Sequence, residues 1–112
     1  MSSFTIRQND TKPDLERTLQ FQDSAGAWQA IDLTTATSVT FRMKRLGNGL
    51  LKVERTATIV APSSGAVKHA WQAADTDEAG TFQAEWEIDF NGDIQTVPNS
   101  DYDVIEVTRE LG

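Results

Sequence analysis

The sequence predicts an all-β protein, an antiparallel β-sandwich that forms one domain over residues 1–112. Apolar and polar residues alternate without interruption from 81 to 90. Because successive side chains of a strand point to opposite faces, this segment is a strand with one buried and one acidic face. Turn signals recur about every ten residues, which is the spacing of short strands in a sandwich. Helical periodicity is absent beyond one short turn at a strand-to-strand corner.

The N-terminal half divides into four alternating segments, residues 4–7, 15–21, 28–33 and 39–44. The inward faces expected for the second and fourth segments are Leu15, Arg17, Leu19 and Phe21, and Val39, Phe41 and Met43. Polar and proline-containing residues 9–13 separate the first two segments. The loop Asp23-Ser24-Ala25-Gly26 predicts a hairpin between the second and third.

The C-terminal half continues the same pattern. Asn48-Gly49 predicts a two-residue hairpin, since this dipeptide readily adopts the positive φ that such a turn requires. Residues 52–60 are the expected partner strand, and a Pro-Ser-Ser-Gly sequence ends it. A strand with Val67, His69 and Trp71 inward leads to the corner. Strands 81–90, 94–97 and 102–107 complete the sheets, with a reversal at 91–93.

The corner is predicted from capping chemistry. Asp75 and Glu78 have the spacing of a capping box for one helical turn, and Gly80 frees the backbone to enter the next strand. The segment from Glu78 to Ala84 also resembles the start of an immunoglobulin F strand. Phe82 replaces the usual tyrosine and Ala84 the usual cysteine, so neither the tyrosine-corner bond nor the inter-sheet disulfide can form. The resemblance predicts an immunoglobulin-like architecture without membership of the antibody-type family.

Composition narrows the possible partners. The chain has no cysteine, so no disulfide or thiolate metal site is expected. Ten basic and seventeen acidic residues give a formal net charge of −7. Phosphate binding depends on Lys and Arg, so neither nucleic acid nor an anionic membrane is an expected partner. Polar Ser2 and Ser3 follow Met1, and no secretory signal or membrane span is expected. Synthesis in a reducing cytoplasm agrees with these features.

A second resemblance covers nearly the whole chain. The ordered motifs that carry it are Phe4-x-Ile6, Asn9-Asp10-Thr11-x-Pro13, Gly26, Ile31-Asp32-Leu33-Thr34, Val39-x-Phe41-x-Met43, Gly65-x-Val67-x-x-x-Trp71, Asp75-Thr76-x-x-x-Gly80-x-Phe82-x-Ala84-Glu85, Gly92 and Thr96-x-Pro98. Together they resemble the N-terminal domain of the upper baseplate protein of tailed bacteriophages. This resemblance implies a β-sandwich in the virion, oligomeric and bound to other phage structural proteins. In that family the domain usually heads a longer chain, whereas this sequence stops at Gly112. A tail accessory subunit, a connector component and a capsid decoration protein therefore all remain open.

No catalytic constellation is apparent. A Ser-His-Asp triad would have to use His69, the one histidine, but the sequence has no Gly-x-Ser-x-Gly nucleophile elbow. His69 shares a strand face with Val67 and Trp71, so we interpret it as a packed residue and not as a catalytic one. Glu85 and Glu87 have a spacing that a glycosidase could use, although the outer face of a strand commonly carries such pairs. No catalytic residue is predicted.

No metal or cofactor site is predicted either. Asn99, Asp101, Asp103 and Glu110 have the spacing of calcium-loop ligands, but Val104 stands where that loop requires glycine. This segment is interpreted as a polar turn before the last strand. The glycines around Asn48 lack the Gly-Lys-Ser/Thr ending of a phosphate loop.

Three residues are candidates for a protein interface. Trp71 and Trp86 are expected in the core, whereas Trp28 opposes the face of Ile31 and Leu33 and is expected at the surface, where tryptophan often makes contacts. Phe4 and Ile6 belong to a short terminal strand that could pair with the edge of a neighbour's sheet.

These expectations favour a non-enzymatic structural subunit that acts by protein–protein docking in a symmetric assembly. A carbohydrate-binding module that recognises cell-surface glycans through Trp28 is the alternative, and a small hydrolase ranks last.

Overall fold

Eleven strands and two single-turn 3-10 helices are present in the described part of the chain, residues 3–98 and 103–111 of a computed structural model. The strands are β1 (Ser3–Arg7), β2 (Leu15–Thr18), β3 (Gln20–Gln22), β4 (Trp28–Ala30), β5 (Ser38–Arg45), β6 (Leu51–Thr56), β7 (Thr58–Ala61), β8 (Ala66–His69), β9 (Gly80–Phe90), β10 (Asp93–Val97) and β11 (Asp103–Thr108). The 3-10 helices cover Pro62–Ser64 and Ala73–Asp75. The all-β prediction is confirmed.

Two sheets share a single core. The large sheet has the strand order β1-β11-β9-β5-β6, with β10 also paired to β9, and the small sheet has the order β2-β8-β7. Phe41 of the large sheet stacks on His69 of the small one, with 4.4 Å between the ring centroids. Phe41 also packs against Trp86 of its own sheet, with 4.8 Å between the ring centroids. A third sheet consists of β3 and β4 alone.

Strand β9 is the spine of the large sheet. β5 pairs with one of its edges, while β11 and β10 share the other, β11 along residues 80–84 and β10 along residues 86–90. The inward side chains are at most 2% exposed: Phe82, Ala84, Trp86 and Ile88. The polar residues between them lie half-buried on the outer face. The predicted alternation is therefore confirmed over this part of the strand.

Two predicted strands are each divided between two sheets. The segment 52–60 breaks at Ala57, whose N–H donates to Val39 O, so that β6 belongs to the large sheet and β7 to the small one. The segment 15–21 breaks at Leu19, and Phe21 beyond it is 36% exposed rather than inward. An alternating pattern defines the faces of a strand but not its partners, so neither division is visible in the sequence.

One pair departs from the antiparallel arrangement. β1 runs parallel to β11, with Ser3 opposite Val104 and Arg7 opposite Thr108. A parallel pair needs a long connection, and nearly the whole chain lies between these two strands.

The turns correct two local predictions. In the corner, Gln72 is the N-cap and Asp75 is the third helical residue, so the capping box joins these two residues and not Asp75 with Glu78. At the β5–β6 turn, the positive φ angles belong to Gly47 and Gly49 and not to Asn48. Asn91-Gly92 forms the two-residue turn instead, with φ angles of 56° and 103° between β9 and β10.

Candidate docking surface

A two-stranded arm, residues 20–30, extends beyond the small sheet. Its strands β3 and β4 pair only with each other among the described strands, and all six of their residues are exposed. Trp28 is 55% exposed, as the sequence predicts. It lies opposite Gln22, whereas Phe21 lies opposite Gln29 and therefore faces the other side of the arm. Both faces of the arm thus present an aromatic residue to solvent.

The tip of the arm is ordered by Asp23. One carboxylate oxygen, Oδ1, accepts hydrogen bonds from the backbone N–H groups of Ala25 and Ala27 at 2.9 and 3.0 Å. The other, Oδ2, accepts one from Gln29 Nε2 at 3.2 Å. These donors, above all the Ala27 N–H, hold the pKa of Asp23 below its ordinary value. The tip is therefore a structured turn and not a loose loop.

The base of the arm is fixed to the small sheet at Gly65. Leu19 N–H donates to Gly65 O at 2.8 Å, and Ile31 N–H donates to Leu19 O at 2.9 Å. Gly65 has a φ of +74°, and a Cβ there would lie 2.7 Å from Ile31 O and 2.9 Å from Leu19 O. Because Leu19 and Ile31 are at most 5% exposed, the arm projects from an anchored base.

The arm differs chemically from the other sheet edges. Asp23 is the one charged residue between Arg17 and Asp32. The other edges carry charged side chains or a bulge: Arg7 on β1, Glu16 and Arg17 on β2, Lys52, Glu54 and Arg55 on β6, Asp93 on β10, and a register shift between Ile59 and Ala61 on β7. Charges and bulges protect edges from pairing with other chains. Among the described edges, the strands of the arm have neither protection.

Phe4 and Ile6 are not part of this surface. Ile6 is 3% exposed and belongs to the core, and Phe4 is half-buried with its ring centroid 5.9 Å from that of Trp71. Both side chains therefore pack within the sandwich, and the pairing of β1 with a neighbour's sheet through its other edge stays a prediction. Strand β1 already pairs with β11 through one edge. The sequence could not show this, because a short alternating strand looks the same whether its partner is its own chain or a neighbour.

His69 lies in a polar cluster at the corner, in which His69 and Asp75 are buried and Arg55 is exposed. It is 2% exposed, and its Nε2 lies 3.0 Å from Asp75 Oδ2. Asp75 also accepts hydrogen bonds from Gln72 N–H at 2.9 Å and from Arg55 Nη2 at 2.8 Å. Burial alone would raise the pKa of Asp75, but the bonds from His69, Arg55 and Gln72 outweigh it and lower this pKa to about 2. The cluster joins β6 and β8 to the corner.

The other candidate ligands and acids are used within the fold. Asp103 is buried and accepts hydrogen bonds from Trp86 Nε1 at 3.2 Å and Arg17 Nε at 3.3 Å. Glu110 accepts one from Asn9 Nδ2. Asn99 and Asp101 lie outside the described residues. Glu87 forms an ion pair with Arg42, and Glu85 is half-buried on the outer face of β9.

Two further findings apply to residues 3–98 and 103–111. In this part of the chain, no three His, Cys, Asp or Glu side chains are grouped so that they could hold a metal ion. None of its helices has the length and apolar character needed to cross a membrane.

The chain matches no model of a known protein family and no curated protein. The resemblance to the phage baseplate domain therefore depends on the ordered sequence motifs alone. The candidate docking surface depends on the exposure, the edge chemistry and the anchored base of the arm.

Proposed function

We propose that this chain is a non-enzymatic structural subunit of a bacteriophage virion, placed in the tail, baseplate or connector, and that it acts by docking on neighbouring proteins. The arm carries this proposal. Hydrogen bonds hold its tip and its base, it exposes Trp28, and its strand edges lack the charged side chains that other edges of this chain carry.

Symmetric repetition provides the mechanism. Each copy contributes one modest contact, and a ring or shell of copies adds these contacts without requiring a large interface from any one subunit. The absence of catalysis is supported by His69, whose ring is buried against Phe41 and bonded to Asp75 and is therefore closed to a substrate. A capsid decoration protein would use the same surface and the same principle.

Mass spectrometry of purified particles tests the proposal. We expect the chain to be present at a copy number that is a multiple of the particle's ring or shell symmetry. Trp28→Ala should reduce its incorporation at least tenfold. Leu50→Ala is the matched control, because Leu50 is 67% exposed in the β5–β6 turn, outside the arm. Particles that lack the chain would overturn the proposal.

Exposed Trp28 also favours a second candidate, a module that binds cell-surface glycans by stacking a sugar on the indole ring. Glycan-array binding that is lost in Trp28→Ala, by a chain that is absent from particles, would select this alternative.

A further inference from the structure

The end of the sandwich that carries the arm has four aspartates, and each of them lies in a part of the sequence without Lys or Arg. This acidic end comprises Asp23, Asp32, Asp89 and Asp93. The sequence contains no Lys or Arg in residues 18–41, 56–67 or 69–108. None of the four carboxylates forms an ion pair with another described residue, whereas Asp77 and Glu78 at the opposite end pair with Lys52. The charge of the chain is therefore unevenly distributed.

Asp23 lies at the tip of the arm and Asp32 follows its second strand, while backbone contacts place Asp89 and Asp93 at the end of the sandwich that carries the base of the arm. Leu33 N–H, just after the arm, donates to Pro62 O at 2.8 Å, and Thr37 N–H donates to Asp89 O at 2.8 Å. Asp89 and Asp93 flank the turn between β9 and β10. This turn therefore lies at the same end of the sandwich as the base of the arm. Hydrogen bonds from the hydroxyl and N–H of Thr34 also hold the pKa of Asp32 below its ordinary value.

We propose that the arm inserts into an apolar cleft of a different protein chain, and that Lys and Arg residues line the rim of that cleft. Trp28 enters the cleft, while the acidic end meets the basic rim. The inference deepens the proposed function and rests on it. Opposite charges around an apolar anchor steer association and fix the register of the contact. A second copy of this chain is a poor partner for the acidic end, because a contact between two acidic ends would bring together four unpaired aspartates from each chain.

Fluorescence quenching tests the chemistry of the surface on the isolated chain. Trp71 and Trp86 are at most 3% exposed, so a collisional quencher reports on Trp28. Relative to free N-acetyltryptophanamide at the same ionic strength, we expect Cs⁺ to quench at least twofold better than I⁻. Changing Asp23, Asp32, Asp89 and Asp93 to Asn should abolish this preference. Asparagine keeps an acceptor oxygen for the turns.

A matched variant separates local charge from net charge. Changing Asp10, Asp77, Glu78 and Glu110 to their amides alters the net charge by the same amount outside the arm and should leave the preference for Cs⁺ intact. If I⁻ quenches as well as Cs⁺ in the unaltered chain, the acidic surface around Trp28 does not exist and the proposal fails.

Zero-length carbodiimide cross-linking of purified particles tests the partner, because it joins a carboxylate to a lysine amine in direct contact. We expect cross-links from the acidic end to lysines of a different protein, and at least a fivefold loss of these cross-links in 1 M NaCl. Cross-links from the acidic end to a second copy of this chain, or cross-links from the opposite end alone, would overturn the arm proposal and leave the virion proposal standing. Particles without the chain would overturn both proposals.

Discussion

The corner buries polar side chains, whereas the arm exposes apolar ones. At the corner, His69 and Asp75 are buried and their polar atoms bind each other, Arg55 and the backbone. In the arm, Trp28 and Phe21 are exposed while the polar groups order the turn. The polar groups of the corner therefore bind within the fold, whereas the apolar surface of the arm stays exposed to solvent.

Removing one tryptophan from each region should give the largest contrast. Trp71→Ala at the corner should lower the free energy of unfolding by about 3–5 kcal/mol, because a large buried aromatic leaves a cavity between Phe4, Phe41 and His69. Trp28→Ala should change it by less than about 0.5 kcal/mol. Urea unfolding of both variants measures the two values. Equal losses would mean that the arm is part of the core.

Gly65→Ala tests the attachment of the arm to the small sheet. The added methyl group would meet Ile31 O and Leu19 O in a residue with positive φ, so we expect a loss of about 3 kcal/mol in unfolding free energy. Gly47→Ala is the control, since its φ is also positive at 103° but a Cβ there has open space around it. Its expected cost is about 1 kcal/mol. If Gly65→Ala lowers the unfolding free energy by no more than Gly47→Ala does, the backbone at the base of the arm shifts readily to make room for the methyl group.

Acid should weaken the corner by a smaller amount. The pKa of Asp75 falls from 3.8 to about 2 on folding, so the folded state binds fewer protons at this group than the unfolded state. Its contribution, about 2 kcal/mol, is present above pH 3.8 and is lost as the pH falls through about 2. Unfolding free energies between pH 5 and pH 2 should show this slope, and Asp75→Asn should reduce it by the share that Asp75 contributes. The lowered pKa values of Asp23 and Asp32 leave a remaining slope in this variant, so only a slope unchanged by Asp75→Asn would assign the effect to other groups.

Local patterns in the sequence were sufficient to predict the sandwich and much of its core. The alternation around Trp86 identified an inward face, and the strand containing Val67, His69 and Trp71 is buried as predicted. The exposure of Trp28 followed from its position opposite Ile31 and Leu33. These predictions hold because the period of a strand relates neighbouring residues directly, and burial of one face is the main free-energy gain of a sheet.

Partners distant in sequence were decided by tertiary structure. The division of strands at Leu19 and Ala57 depends on contacts with Gly65 and Val39, which no local pattern contains. The same is true of Asp75, which gains Arg55 and His69 as partners, and of Ile6, which enters the core. Alternation states which side of a strand is apolar. Only the folded chain decides which strand lies beside it, because that choice depends on packing, turn geometry and hydrogen bonds across the whole sandwich.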